Sequence, residues 1–142
     1  MTEVSFYILP GAAEHRFAFA CKIIEKAYKQ GSFCNVLTES EVHSQLLDDL
    51  LWTFRQGSFI PHQIQQSPVC PELPQILICH NLACLPTTTG ILVNLSSQFP
   101  ANFAEYPRVL EIIANDPDIK QQGRNRYRQY QQLQANLVTH TL

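Results

Sequence analysis

Glu3-Val-Ser-Phe-Tyr-Ile-Leu9, closed by Pro10-Gly11, reads as a strand ending in a turn, because β-branched and aromatic residues dominate it and the Pro-Gly pair cannot continue it. Directly after it, residues 12–30 space Phe17, Cys21, Ile24 and Tyr28 at three and four positions, and Gly31 stands where a helix C-cap belongs. A strand followed at once by an amphipathic helix is the first half of a βαβ unit. Phe33 to Leu37 supplies the next strand. Thr38 or Ser40 can then cap a helix carrying Glu39 or Glu41 in its first turn and running through Leu46, Leu47, Leu50 and Leu51 to Trp52.

The alternation continues with two apolar runs, Gln75 to Cys79 and Ile91 to Leu95, that fit interior strands, with Pro86-Thr-Thr-Thr-Gly90 as a loop between them. Arg108 to Ala114 satisfies strand and helix periods alike, and strand is the preferred reading. Asp116-Pro-Asp118 is an entry signal for a last helix. This order predicts an α/β fold with a mostly parallel sheet and helices on its faces. With 142 residues, 45% of them hydrophobic, one domain spanning 1–142 with one core is expected, without staples.

Five cysteines at irregular spacing, Cys21, Cys34, Cys70, Cys79 and Cys84, predict reduced thiols. No run of 18 apolar residues and no signal-like N-terminus is present, so a cytoplasmic protein is expected. The formal charge is −2, yet four of the ten Lys and Arg residues fall between 120 and 128. Anion binding therefore belongs to a patch and not to the molecule as a whole.

On a helical wheel at about 100° per residue, Lys120, Arg124 and Arg128 flank Tyr127 within an arc of roughly 100°. Ile119, Tyr130, Leu133 and Leu137 form an apolar stripe on the far side, and Arg126 falls beside that stripe, placed to pair with an acidic residue of the body. Exposed cations on a helix are commonly just solvated. Arginine in place of lysine favours a carboxylate partner, since the planar guanidinium grips a carboxylate through two bonds.

The five glycines form neither G-x-G-x-x-G nor G-x-x-x-x-G-K-[ST], and G-x-S-x-G is missing, which argues against nucleotide chemistry and acyl transfer. Cys79, His80 and Cys84 match no strong zinc spacing and read as a buried thiol beside a surface histidine. No catalytic, cofactor-binding or metal-ligating residue is assigned. The segment from Trp52 to His62 concentrates Trp52, Phe54, Phe59, Ile60 and Pro61, enough apolar surface either to tuck under the sheet or to anchor a partner.

With these segments identified, the chain resembles the chi subunit family of the bacterial DNA polymerase III holoenzyme. The residues that carry the likeness are Val4-Ser-Phe-Tyr-Ile-Leu9, Leu50-Leu-Trp52 followed by Ser58-Phe-Ile-Pro-His62, Ile91-Leu-Val-Asn-Leu95 and Arg124-Asn-Arg-Tyr-Arg-Gln-Tyr130. The resemblance implies a three-layer α/β/α fold of nucleotide-binding-like, Rossmann-like topology without a phosphate-binding loop, and a non-catalytic connector that needs no cofactor. It implies two partners. The psi subunit, as a 1:1 heterodimer, would meet Trp52, Phe59, Ile60, Pro61 and His62. The acidic C-terminal tail of single-stranded DNA-binding protein, ending in a phenylalanine carboxylate, would meet Lys120, Arg124, Tyr127 and Arg128, so that DNA is reached only indirectly.

Gln122-Gly123 departs from the leucine- or alanine-like residues usual there and predicts a looser or kinked last helix. Residues 135–142 carry no clear Gly-Phe element to complete a pocket for the tail. Two other readings compete: a nucleotide-using or hydrolytic enzyme on the same scaffold, and direct binding of single-stranded DNA by the same arginines with Tyr127 stacked on a base.

Overall fold

The computed structural model describes residues 2–53, 63–64, 76–81 and 90–142. Its elements run β1 (Glu3–Ile8), α1 (His15–Lys29), β2 (Cys34–Leu37), α2 (Glu41–Thr53), β3 (Gln63–Ile64), β4 (Ile76–Cys79), β5 (Ile91–Asn94), a 3-10 turn (Phe103–Glu105), β6 (Arg108–Ile113), α3 (Pro117–Gln132) and β7 (Asn136–Thr141). The strands form one sheet in the order β3-β4-β2-β5-β6-β1-β7, each neighbouring pair parallel. β2 and β4 are buried along their whole length, as covering on both faces requires.

Side-chain alternation along the strands builds two cores. Leu110 and Ile112 of β6 join Val36, Ile78 and Val93 beneath Phe17, Cys21 and Ile24 of α1 and Leu47 and Leu51 of α2. Val109 and Ile113 point the other way and join Val4, Phe6 and Leu92 beneath Phe103, Tyr106 and Tyr130. Helices therefore cover both faces, and the α/β/α layering and parallel sheet expected from the strand-helix alternation are the observed architecture.

The local signals act as physical chemistry dictates. Gly31 takes φ 74° just past α1, a left-handed conformation that a side chain would strain. Ser40 caps α2, its hydroxyl accepting from His43 N at 3.2 Å, while Thr38 Oγ1 shares a hydrogen bond of 2.6 Å with Ser44 Oγ. Arg108 to Ile113 is a strand, paired on both sides. Burial raises the thiols of Cys21 to about 11 and Cys34 to about 12, so they remain protonated in the core. Cys70 and Cys84 lie outside the described residues.

Two expectations are overturned. Leu133 and Leu137 do not extend the apolar stripe of the last helix: α3 stops at Gln132, Leu133 is its exposed C-cap, and Gln134 turns the chain with φ 60°. Leu137 belongs to β7, which pairs along the whole of β1 in the register Phe6↔Thr139 and Ile8↔Thr141 and so covers an edge that β1 would otherwise expose. Nor does Gly123 loosen α3. The helix runs unbroken through it, and a Cβ there would come within 2.7 Å of Ile113 Cδ1, so the glycine lets α3 settle closely on β6.

Candidate functional site

α3 is anchored at its start by Asp116, whose carboxylate accepts from Asp118 N at 3.0 Å and Ile119 N at 3.1 Å, with Pro117 opening the first turn. Its inner side is held by a buried polar network. Glu111, in the middle of β6, accepts from Arg126 Nε at 3.1 Å, Tyr130 Oη at 2.7 Å and Asn94 Nδ2 at 3.0 Å. Arg126 also donates to Ser97 O, which fastens the loop after β5. Burial pushes the Glu111 carboxyl above the ordinary carboxylate range, and the charge of Arg126 with the hydrogen bonds from Tyr130 and Asn94 pulls the other way. Burial first, and then Glu111, drive the Tyr130 phenol upward, so it stays a donor. Arg126 is thus committed to the fold, in the position beside the apolar stripe that the helical wheel assigns it.

The outer side of the same helix is different. Arg124 and Arg128 are exposed and Lys120 is half-buried, and none of the three forms an ion pair among the described residues. Lys120, Gly123, Arg124 and Tyr127 form one wall of a pocket of about 400 Å³, and Phe6, Ile8, Ile113 and Thr139 form its floor and far wall. Tyr127 does not stand free beside the cations. It packs edge-on against Phe6, centroids 5.2 Å apart, and lends the pocket an aromatic side. Arg128 lies outside the lining, exposed on the next turn. An apolar cavity with two cations on its rim is chemically matched to a ligand that ends in an apolar group beside a carboxylate.

Sequence reasoning located the rim but missed the wall. Thr139 comes from β7, and the signal for that strand was present in Leu137-Val-Thr-His-Thr141, a run rich in β-branched residues. Gly123, expected from helix propensity to weaken α3, is part of the pocket surface.

A second feature lies on α2. Ser44, Leu47 and Leu51 turn inward, while Val42, Leu46 and Leu50 leave an apolar stripe in solvent at a spacing of four, with Val42 68% exposed. Trp52 at the end of the helix is 54% exposed. Phe59, Ile60, Pro61 and His62 lie outside the described residues. Of the Cys79, His80 and Cys84 cluster, Cys79 is buried with its thiol donating to Asn81 O at 3.0 Å, His80 is half-buried, and Cys84 lies outside the described residues.

The place where parallel sheets commonly hold ligands is the crevice at strand carboxyl ends where adjacent connections part to opposite faces, here between β2 and β5. Protein groups occupy it. Arg16 donates to Leu95 O at 3.3 Å, Glu39 accepts from Ser97 Oγ at 2.8 Å, and Asp118 and Arg126 close the sides. Burial, then the neighbouring charge of Arg126, lower the Arg16 pKa, while Glu39, Asp116 and Glu111 oppose that shift. The two arginines of this crevice, Arg16 and Arg126, are committed to Leu95 O and to Glu111, and Glu39 and Asp118 offset their charge. Among the described residues no helix is long and apolar enough to cross a membrane.

Comparison with known proteins agrees over the whole chain. The family model described as "DNA polymerase III chi subunit, HolC" matches residues 1–138. The DNA polymerase III subunit chi of Pseudomonas aeruginosa is 33% identical over an alignment of 144 positions, covering 100% of this chain and 98% of that protein. The proteins of the same name from Haemophilus influenzae and Escherichia coli are 26% and 25% identical, covering 84% and 85% of this chain and 83% and 82% of their own lengths.

Proposed function

The chain belongs to the DNA polymerase III chi subunit family, and from that premise we propose that it connects two replication proteins through the two surfaces described above. As a chi subunit it is an accessory component of the replicative polymerase, not a catalyst. The proposed partners are the acidic C-terminal tail of single-stranded DNA-binding protein at the α3 pocket, and the psi subunit, which joins the clamp loader, at the α2 end. Such a bridge would operate in the cytoplasm, where the bacterial chromosome is copied.

The observation that carries the first contact is the pocket beside α3 with unpaired cations at its rim. A tail ending in phenylalanine places a ring in the apolar cavity and its terminal carboxylate against Lys120 and Arg124, while preceding acidic residues lie along Arg128. Burying the ring contributes on the order of 1.5–3 kcal/mol. Each exposed ion pair adds roughly 0–1 kcal/mol, so one tail binds reversibly and is weakened by salt. Single-stranded DNA-binding protein presents several tails, and their combined effect holds the complex without any one contact being tight.

Support for the psi contact is the apolar surface that α2 leaves exposed, the stripe of Val42, Leu46 and Leu50 on one side and Trp52 at the helix end on another. Tryptophan is the residue most enriched among interface hot spots, since one side chain desolvates a large area at small entropic cost. Phe59, Ile60, Pro61 and His62 would continue that surface along the chain from Trp52.

Both contacts can be tested with purified full-length chain. Immobilised single-stranded DNA-binding protein should retain it, and the same protein lacking its last residues should not. Replacing Trp52 with alanine should weaken the psi complex about tenfold or more, roughly 1.4 kcal/mol, and leave tail binding unchanged. Equal retention with and without the tail would remove the α3 reading.

A further inference from the structure

A third surface lies on the opposite side of the sheet from α3, and neither proposed partner uses it. Between α1 and the β1–β6 pair a groove of about 360 Å³ is bordered by Lys22 and Lys26 on α1 and by Arg108 on β6. Two rings, Tyr7 and Phe19, line it beside the aliphatic Ile23, Ile91 and Leu110. Tyr7 packs against Phe19 with centroids 5.4 Å apart, and the exposed His140 of β7 stacks on Tyr7 at 4.8 Å with the ring planes 17° apart.

The two lysine charges here are not neutralised. Lys22 and Lys26 are exposed, one helical turn apart on the same face, and neither forms an ion pair among the described residues. Of the acids nearby, Glu25 faces Lys29 at 3.8 Å, and Glu3 faces Arg108 at 3.6 Å. Arg108 also donates to Tyr7 Oη at 3.1 Å, which fixes the ring. The free cations of this groove are therefore the two lysines, which line it together with Tyr7 and Phe19.

We propose that this groove is a contact site for single-stranded nucleic acid, with Lys22 and Lys26 on successive phosphates and a base laid against Tyr7 and Phe19. Two features favour nucleic acid over an acidic peptide. The one guanidinium in the groove is already engaged by Glu3 and Tyr7, whereas the ammonium groups left free act as point charges suited to phosphate. Tyr7 and Phe19 offer rings that stack with any base, which suits a contact without sequence preference. The chain's formal charge of −2 limits the affinity and makes it sensitive to salt. The consequence is that the connector touches the strand itself as well as the protein that coats it.

The test uses the full chain carrying Arg124→Glu and Arg128→Glu, so that α3 cannot contribute, and measures anisotropy of a labelled oligo-thymidylate at low salt. Binding is expected. Two phosphate contacts predict a slope of about −1.4 in the logarithm of affinity against that of salt, or about a sevenfold loss between 50 and 200 mM. Adding Lys22→Glu and Lys26→Glu, both exposed and remote from the cores, should reduce affinity by about tenfold or more with the circular dichroism spectrum unchanged. No binding at low salt would overturn the proposal, as would undiminished binding once Lys22→Glu and Lys26→Glu are added. Displacement of the oligonucleotide by poly-glutamate at lower concentration than by unlabelled oligonucleotide would instead assign the groove to an acidic protein segment.

Discussion

Arg124 and Arg126 stand two residues apart on one helix and have opposite fates. Arg126 is 3% exposed and spends its guanidinium on Glu111 and Ser97, whereas Arg124 is exposed, without an ion pair among the described residues, at the mouth of an apolar pocket. Composition cannot separate them. What separates them is about 200° of helical rotation, which turns one toward a carboxylate planted in the middle of β6 and the other toward solvent. A charge buried with its partner specifies where a helix sits; a charge left unpaired at a rim remains available to a ligand.

Breaking the buried side should have the largest effect. Arg126→Ala removes the cationic partner of a fully buried carboxyl, leaving Glu111 to Tyr130 and Asn94 alone while burial drives it toward protonation, and a loss of about 3–5 kcal/mol in urea-induced unfolding is expected. A loss below about 1 kcal/mol would mean that the pair contributes little to holding α3 on the sheet. Tyr130→Phe removes only the 2.7 Å donor to Glu111 and should cost about 1–3 kcal/mol in the same assay.

Gly123 lies between the two sides, and its replacement sharpens the contrast. In Gly123→Ala the new methyl group gains about 1 kcal/mol of helix propensity but presses on Ile113 Cδ1, the movable end of a side chain that also lines the pocket. Net stability should change by less than about 1 kcal/mol, while affinity for an acidic tail peptide falls severalfold in calorimetry. Undiminished affinity would show that the ligand does not enter the cavity at that depth.

Much of this architecture could be read from residue order, for identifiable reasons. β1, α1, β2 and α2 carry strong periodic patterns bounded by Pro10-Gly11, Gly31 and Ser40, and such local signals survive folding. The preference for a strand at Arg108–Ile113 holds because both of its neighbours in the sheet are strands, information that a six-residue window lacks. β7 is hidden in the sequence because Leu133 and Leu137 prolong the helical spacing, and only Gln134 in a left-handed conformation ends it. A non-glycine residue gives weak warning of that. At the site, the rim cations were legible as a wheel pattern, and so was the inward turn of Arg126. The cavity was not, since Phe6, Ile8, Ile113 and Thr139 come from three strands that only the parallel pairing of β6, β1 and β7 brings together. The same topology brings His140 beside Tyr7 on the other face, a juxtaposition with no counterpart in sequence distance.

The central claim is that the unpaired cations beside α3 receive carboxylates. Titration calorimetry of an acidic peptide ending in phenylalanine, against the wild-type chain and Arg124→Glu, tests it most directly. The account predicts saturable 1:1 binding to the wild type and at least about a tenfold loss in the variant, with unfolding free energy altered by no more than about 0.5 kcal/mol. Equal affinity for both proteins would contradict it.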